Sequence, residues 1–158
     1  MLKLLSSAAH HTEALGFEIG RRLTAGTTIA LYGDLGAGKT VLVKGLARGL
    51  GITETITSPT FIIVAPYRGR RELVHADAYR LEGANANQLL QVGLLESFGS
   101  DVVCAVEWAE HVERYLPAER LEVRLVYHDE GRAVTVTPHG ERCAALVEEL
   151  KTVGLADN

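Results

Sequence analysis

Eight residues, Gly33-Asp34-Leu35-Gly36-Ala37-Gly38-Lys39-Thr40, constrain this chain more than any other feature. They fit the pattern G-x-x-x-x-G-K-[ST], in which glycines permit backbone angles that aim successive N–H groups at phosphate oxygens. A helix starting near Lys39 adds the positive end of its dipole. The pattern needs a strand before it and a helix after it, and both are legible. Thr27 to Leu31 is a short β-branched and apolar run, opened by Gly26. Lys39 to Leu50 places Leu42, Leu46 and Leu50 on one face and stops at Gly51, a natural C-terminal cap. In this setting a chance match in an ordinary glycine-rich turn is the weaker reading. The nucleotide-binding candidates are therefore Asp34, Leu35, Gly36, Ala37, Gly38, Lys39, Thr40 and Val41, with Asp34 at the rim. Lys39 is expected to bridge the β- and γ-phosphates and Thr40 to ligate Mg²⁺ through its hydroxyl.

Such a site needs a carboxylate for the metal and the attacking water. Val102-Val103-Cys104-Ala105-Val106 is a continuous apolar run of the kind found in central parallel strands, and Glu107 ends it. Glu107 is assigned to Mg²⁺, directly or through water, with a further use in orienting the water. Trp108 either packs on the sheet or covers the nucleotide, core packing being the better reading. His75, Asp77 and Tyr79 share one face if their segment is a strand, which suggests a polar cluster. Ser58-Pro59-Thr60 reads equally as a turn before a strand or as a switch with a γ-phosphate-sensing hydroxyl.

The rest of the chain supplies the frame. Thr12 is the expected N-cap of a helix through Leu23, with Leu15, Ile19 and Leu23 four residues apart. Phe61 to Tyr67 and Glu72 to Ala78 read as a hairpin joined by Arg68-Gly69-Arg70-Arg71. Asn85 to Phe98 reads as a helix, and a short helix runs to Tyr115, before Pro117. Leu121 to Tyr127 and Ala133 to Thr137 suggest a second hairpin, and Glu141 to Val153 a closing helix. Alternating strands and helices with two hairpins predict an α/β fold, a P-loop NTPase-like three-layer sandwich with a mixed, partly parallel central sheet. The 158 residues suit one domain, 1–158.

Composition narrows the function. The formal net charge of −4 argues against sequence-independent nucleic-acid binding as the main task. Arg68, Arg70 and Arg71 at a hairpin tip read first as a solvated loop, and second as a contact for an RNA or an acidic partner. Cys104 and Cys143 show no metal-ligand spacing and are expected to be free thiols. No apolar run approaches bilayer length and the apolar start, Met1 to Leu5, is short for a signal peptide, so a cytoplasmic location is expected.

Four motifs in order, the loop from Gly33 to Thr40, Ser58-Pro59-Thr60-Phe61, His75-Ala76-Asp77-Ala78-Tyr79-Arg80-Leu81 and Val106-Glu107-Trp108, resemble one family. It is the TsaE (formerly YjeE) ATPases of bacterial tRNA threonylcarbamoyladenosine biosynthesis, and the likeness runs from about Thr12 to Val136. The resemblance implies a switch role for Ser58 and Thr60, and places Asp77 and Glu107 at an Mg²⁺–nucleotide site, making Lys39, Asp77 and Glu107 the catalytic candidates. It also implies ATP as the nucleotide and the TsaB–TsaD complex as partner. In that scheme TsaC makes the threonylcarbamoyl-adenylate, TsaD transfers the group, and ATP sustains repeated cycles. Contact with tRNA would be indirect. Arg132 resembles a recurring family arginine near the nucleotide or a partner. Two departures stand out. Asn87 and Gln88 lie where family members often carry acids, which points to different partner contacts, and Val41 replaces a frequent second threonine.

Two other functions compete. A small-metabolite kinase would share the loop, but no Arg-rich lid segment is apparent. A non-hydrolysing module in which ATP gates assembly would use the same loop without needing Asp77 and Glu107 for turnover. A GTPase is disfavoured, because no Asn-Lys-x-Asp sequence occurs.

Overall fold

The computed structural model describes residues 1–59 and 63–155. Thr60, the second switch candidate, lies outside the described residues, as does Phe61 of the expected hairpin.

The chain begins with a strand that sequence reading missed, β1 (Leu2–Ser6), followed by α1 (Ala9–Arg22), β2 (Thr28–Tyr32) and α2 (Lys39–Gly49). A hairpin follows, β3 (Val64–Tyr67) and β4 (Leu73–Asp77), and then a 3-10 turn over Tyr79–Leu81. Two short helices, α3 (Ala86–Gln91) and α4 (Leu94–Ser97), lead to β5 (Val103–Glu107) and a 3-10 segment, Ala109–Tyr115. The chain closes with β6 (Arg120–His128), β7 (Gly131–His139) and α5 (Glu141–Lys151).

The strands form one seven-stranded sheet in the order β1-β7-β6-β2-β5-β4-β3. The central four, β6, β2, β5 and β4, run parallel, while β3, β7 and β1 add antiparallel pairs at the edges. This is the expected mixed, partly parallel sheet. Every residue of β2, β4 and β5 is buried, as central parallel strands require. Leu15 and Ile19 of α1, Leu42 and Leu46 of α2, and Leu146 and Leu150 of α5 cover one face, packing on Ile29, Leu31, Val103 and Val123. Leu89 of α3, Leu94 of α4, and Leu81 and Val112 cover Val74, Ala76, Cys104 and Val106 on the other. The three layers follow.

Close contact between α1 and α2 anchors the helix behind the glycine-rich loop. A Cβ on Gly16 would stand 2.1 Å from the Leu42 carbonyl oxygen, and one on Gly45 would stand 1.9 Å from that of Glu13. Both positions therefore exclude any side chain, and the two backbones touch.

Several boundaries depart from expectation. The N-cap of α1 is Ala8, not Thr12. Thr12 sits buried inside the helix, its hydroxyl 2.8 Å from that of Ser6 at the end of β1. The expected helix from Asn85 to Phe98 is broken at Gly93, whose φ of 79° is left-handed. Its start was read correctly, since Asn85 and Gln88 form a reciprocal capping box. The arginines of the β3–β4 turn are not a free patch. Arg70 donates to the carbonyls of Leu23 (2.7 Å) and Gly20 (2.8 Å), and Arg71 to that of Thr24, so both bond the C-terminal end of α1. Cys104 and Cys143 are buried free thiols.

Candidate functional site

β2 delivers the chain to the loop at the C-terminal edge of the sheet, where open parallel sheets place their ligands. Gly36 (φ 77°) and Gly38 (φ 109°) are both left-handed, and Gly38 caps the start of α2. These angles bring the loop across the N-terminus of α2, which presents free N–H groups and a partial positive charge. The loop borders a cavity of about 580 Å³. Leu35, Gly36, Ala37, Gly38, Lys39, Thr40 and Val41 line it on one side, and Ser58, Asp77, Tyr79, Glu107 and Trp108 on the other.

Lys39 is only 5% exposed, and its ammonium donates to the carbonyls of Gly33 and Asp34 (3.1 Å to the latter). The same ammonium lies 4.1 Å from the centre of the Trp108 ring. Burial holds its pKa below the ordinary lysine value, against the opposing pull of the Glu107, Glu110, Asp77 and Asp34 carboxylates. A desolvated cation resting on neutral acceptors and a π face is ready to be drawn to an anion.

Opposite Lys39 stand two carboxylates on neighbouring strands. Asp77 ends β4 and Glu107 ends β5, and the two residues are register partners. Glu107 is 4% exposed and accepts from the Thr40 hydroxyl at 3.0 Å on each oxygen. Behind it, His75 is fully buried, its Nε2 2.6 Å from Glu107 Oε2. Nε2 faces a carboxylate and so carries the donated hydrogen, while the buried Nδ1 has no hydrogen-bond partner among the described residues. His75 and Asp77 share a strand face as the alternation predicted, but Tyr79 does not. The strand ends at Asp77, whose Oδ1 accepts from the Tyr79 N–H (2.9 Å), and Tyr79 starts a 3-10 turn.

Trp108 adopts φ 57°, uncommon for a bulky residue, and this turns the chain back after β5. Its ring meets Tyr79 edge-on at 5.1 Å and stacks with His111 at 5.8 Å. His111 in turn faces the carbonyls of Ala78 and Tyr79, each at 3.0 Å from Nδ1. Trp108 thus packs partly on the sheet layer and also walls the cavity.

Two candidates lie elsewhere. Asp34 is exposed at the rim, as expected, and its backbone carbonyl accepts from Lys39. Arg132 does not line the cavity; it grips the outer side of the loop, donating to the carbonyls of Gly36 and Ala37, both at 3.1 Å. Sequence reading missed His75 as a partner of Glu107 and Tyr127 as a partner of the loop. The alternation of His75 with Asp77 was the signal for the first; nothing local marked the second.

The residues present fit a nucleotide phosphate chain with Mg²⁺. Thr40, Asp77 and Glu107 offer only oxygen donors at the cavity, which suits a hard cation. No group of three His, Cys, Asp or Glu side chains converges among the described residues. A divalent ion here would need ligand oxygens from elsewhere, as Mg²⁺ takes them from phosphates and water.

A glycine-rich loop between a central parallel strand and its helix, with two carboxylates at the ends of adjacent strands, defines a P-loop NTPase-like α/β protein. The crystal structure of Bacillus subtilis YdiB superposes with a TM-score of 0.78 at 35% identity, covering 96% of this chain and 94% of that one. Residues 6–134 match the family model "Threonylcarbamoyl adenosine biosynthesis protein TsaE". Similar curated proteins include the tRNA threonylcarbamoyladenosine biosynthesis protein TsaE of Treponema pallidum, 43% identical over 85% of this chain and 99% of that protein. The TsaE of Bacillus subtilis is 45% identical over 79% of this chain and 78% of that protein. The chain belongs to the TsaE family.

Proposed function

We propose that this chain binds and hydrolyses ATP with Mg²⁺, and that hydrolysis serves threonylcarbamoyladenosine modification of tRNA. The observation that carries the reading is the cluster around Glu107: Thr40 from the loop helix and His75 from β4 meet its carboxylate beside Lys39, and Asp77 is its register partner at the end of β4. Backbone N–H groups of the loop and the α2 N-terminus hold the phosphates, and Lys39 leaves its carbonyl and ring contacts to neutralise them. Thr40 and Glu107 would hold Mg²⁺, with Asp77 beside them, and the ion would offset charge on the phosphate oxygens. Asp77 and Glu107 orient the attacking water and accept its hydrogen bond; Ser58 and Thr60 serve as the switch segment. Trp108 and Tyr79 shield the site from bulk water.

Adenine as the base, the TsaB–TsaD complex as partner, tRNA contact through those partners and a cytoplasmic setting rest on family membership. No helix among the described residues is long and apolar enough to cross a membrane. Phosphate release measured with and without TsaB–TsaD, on wild type and Lys39→Ala, tests the reading. Slow turnover alone, stimulation by the pair and loss of both in Lys39→Ala are expected. An unstimulated wild type would overturn the partnership, and turnover unaffected by Lys39→Ala would overturn the site.

A further inference from the structure

The β6–β7 hairpin reaches past the end of the sheet to the back of the glycine-rich loop. Tyr127 of β6 and Arg132 of β7 are register partners directly opposite one another. The Tyr127 hydroxyl donates to the Leu35 carbonyl at 2.7 Å. Arg132 Nη2 donates to the Gly36 carbonyl and Nε to that of Ala37, each at 3.1 Å. Two cross-strand side chains thus hold three consecutive carbonyls of the loop. The guanidinium also lies 4.1 Å from the centre of the Tyr127 ring, which ties the two side chains to each other.

In a trans peptide the C=O and the following N–H point in opposite directions. Pinning the carbonyls of Leu35 and Ala37 toward the hairpin therefore turns the N–H groups of Gly36 and Gly38 away from it. The intervening N–H, that of Ala37, closes the loop's own turn on the Asp34 carbonyl at 3.0 Å. The hairpin also crowds Gly36: a Cβ there would stand 2.9 Å from the Tyr127 hydroxyl oxygen. A glycine-rich loop has many alternative conformations, and this contact selects among them before any ligand arrives.

We infer that Tyr127 and Arg132 are positioning residues that pre-set the phosphate loop by holding its outward carbonyls; the inference rests on the nucleotide reading above. It gives Arg132 its role at the loop's back, on the carbonyls of Gly36 and Ala37. Calorimetric titration with ADP and with ATP, on the full chain, reads it. Tyr127→Phe deletes one hydroxyl and is expected to weaken both nucleotides about 3- to 10-fold, and Arg132→Met about 10- to 100-fold. Arg132→Lys, which keeps one donor, should recover part of the loss. The double variant should lose less than the product of the two single losses, because each side chain holds the other. Melting temperatures should stay close to wild type for Tyr127→Phe, separating positioning from general stability.

Equal binding by wild type and Tyr127→Phe would overturn the inference. So would a loss confined to ATP in Arg132→Met, which would mean direct contact with the terminal phosphate. A nucleotide-free measurement separates failure here from failure of the nucleotide reading. Backbone order parameters at Gly36 and Gly38 should drop in both variants without ligand. If they drop while wild type binds no nucleotide, the nucleotide reading falls and the loop restraint stands; if they do not drop, the restraint falls.

Discussion

Leu at both His75 and Glu107 should give a more stable protein than Leu at His75 alone. His75 is fully buried and its bond to Glu107 spans 2.6 Å inside the sheet layer. Removing it strands a carboxylate that is itself 4% exposed. A buried pair broken on one side costs about 3–5 kcal/mol when the survivor has nothing else. Glu107 keeps the Thr40 hydroxyl, at 3.0 Å from each oxygen, so about 2–3 kcal/mol is the better figure. For a chain of 158 residues this corresponds to a drop of about 4–12 °C in melting temperature. Leucine is close to histidine in volume, so cavity formation adds little. In His75→Leu/Glu107→Leu the uncompensated carboxylate is gone, and replacing a buried polar pair by apolar side chains is often neutral. The double variant should therefore recover most of the loss, giving a coupling of about 2 kcal/mol in the mutant cycle. The assay is thermal unfolding by circular dichroism without nucleotide. A double variant that melts at the sum of the two single losses would refute the pairing argument.

Arg70→Ala should lower stability by about 1–2 kcal/mol, or roughly 2–8 °C, because two carbonyls at the end of α1 lose a charged donor. An unchanged melting curve would return the turn to the solvated reading. For the thiols, burial pushes Cys104 to about 12 and Cys143 to about 11, the latter with help from the Glu119 carboxylate. Both lie above the ordinary value of 9.0, so the unfolded chain loses these protons first. Their contribution to stability is intact below about pH 9 and declines as pH rises toward the folded values, which alkaline denaturant titration would show. Neither thiol should react with an alkylating reagent at pH 8 until the chain unfolds; rapid labelling of the native chain would contradict their burial.

Much of the site could be read from the residues, because its parts are local. Glycines at three positions of one loop, a Lys-Thr pair and an apolar run ending in Glu107 are short-range patterns whose backbone requirements are met within a few residues. The strand before the loop, the helix after it and the central place of Val103–Glu107 were legible for the same reason. The start of a helix at Asn85 was legible too, and the structure adds the capping box that Asn85 forms with Gln88.

Tertiary structure decided what depended on partners distant in sequence. β1 has only five residues and becomes a strand because β7 offers it a partner. Thr12 lost its capping role because Ser6, brought alongside by that strand, holds its hydroxyl within the fold. His75 became the partner of Glu107 through the register of β4 on β5, and Trp108 met Lys39 because the chain turns back after β5. Arg70 read as a free charge until the ends of α1 supplied its acceptors. The loop from Gly33 to Thr40 carries in its own sequence the freedom to cradle an anion. Which of its many shapes it takes is set by Tyr127 and Arg132, side chains that only the folded hairpin brings to its carbonyls.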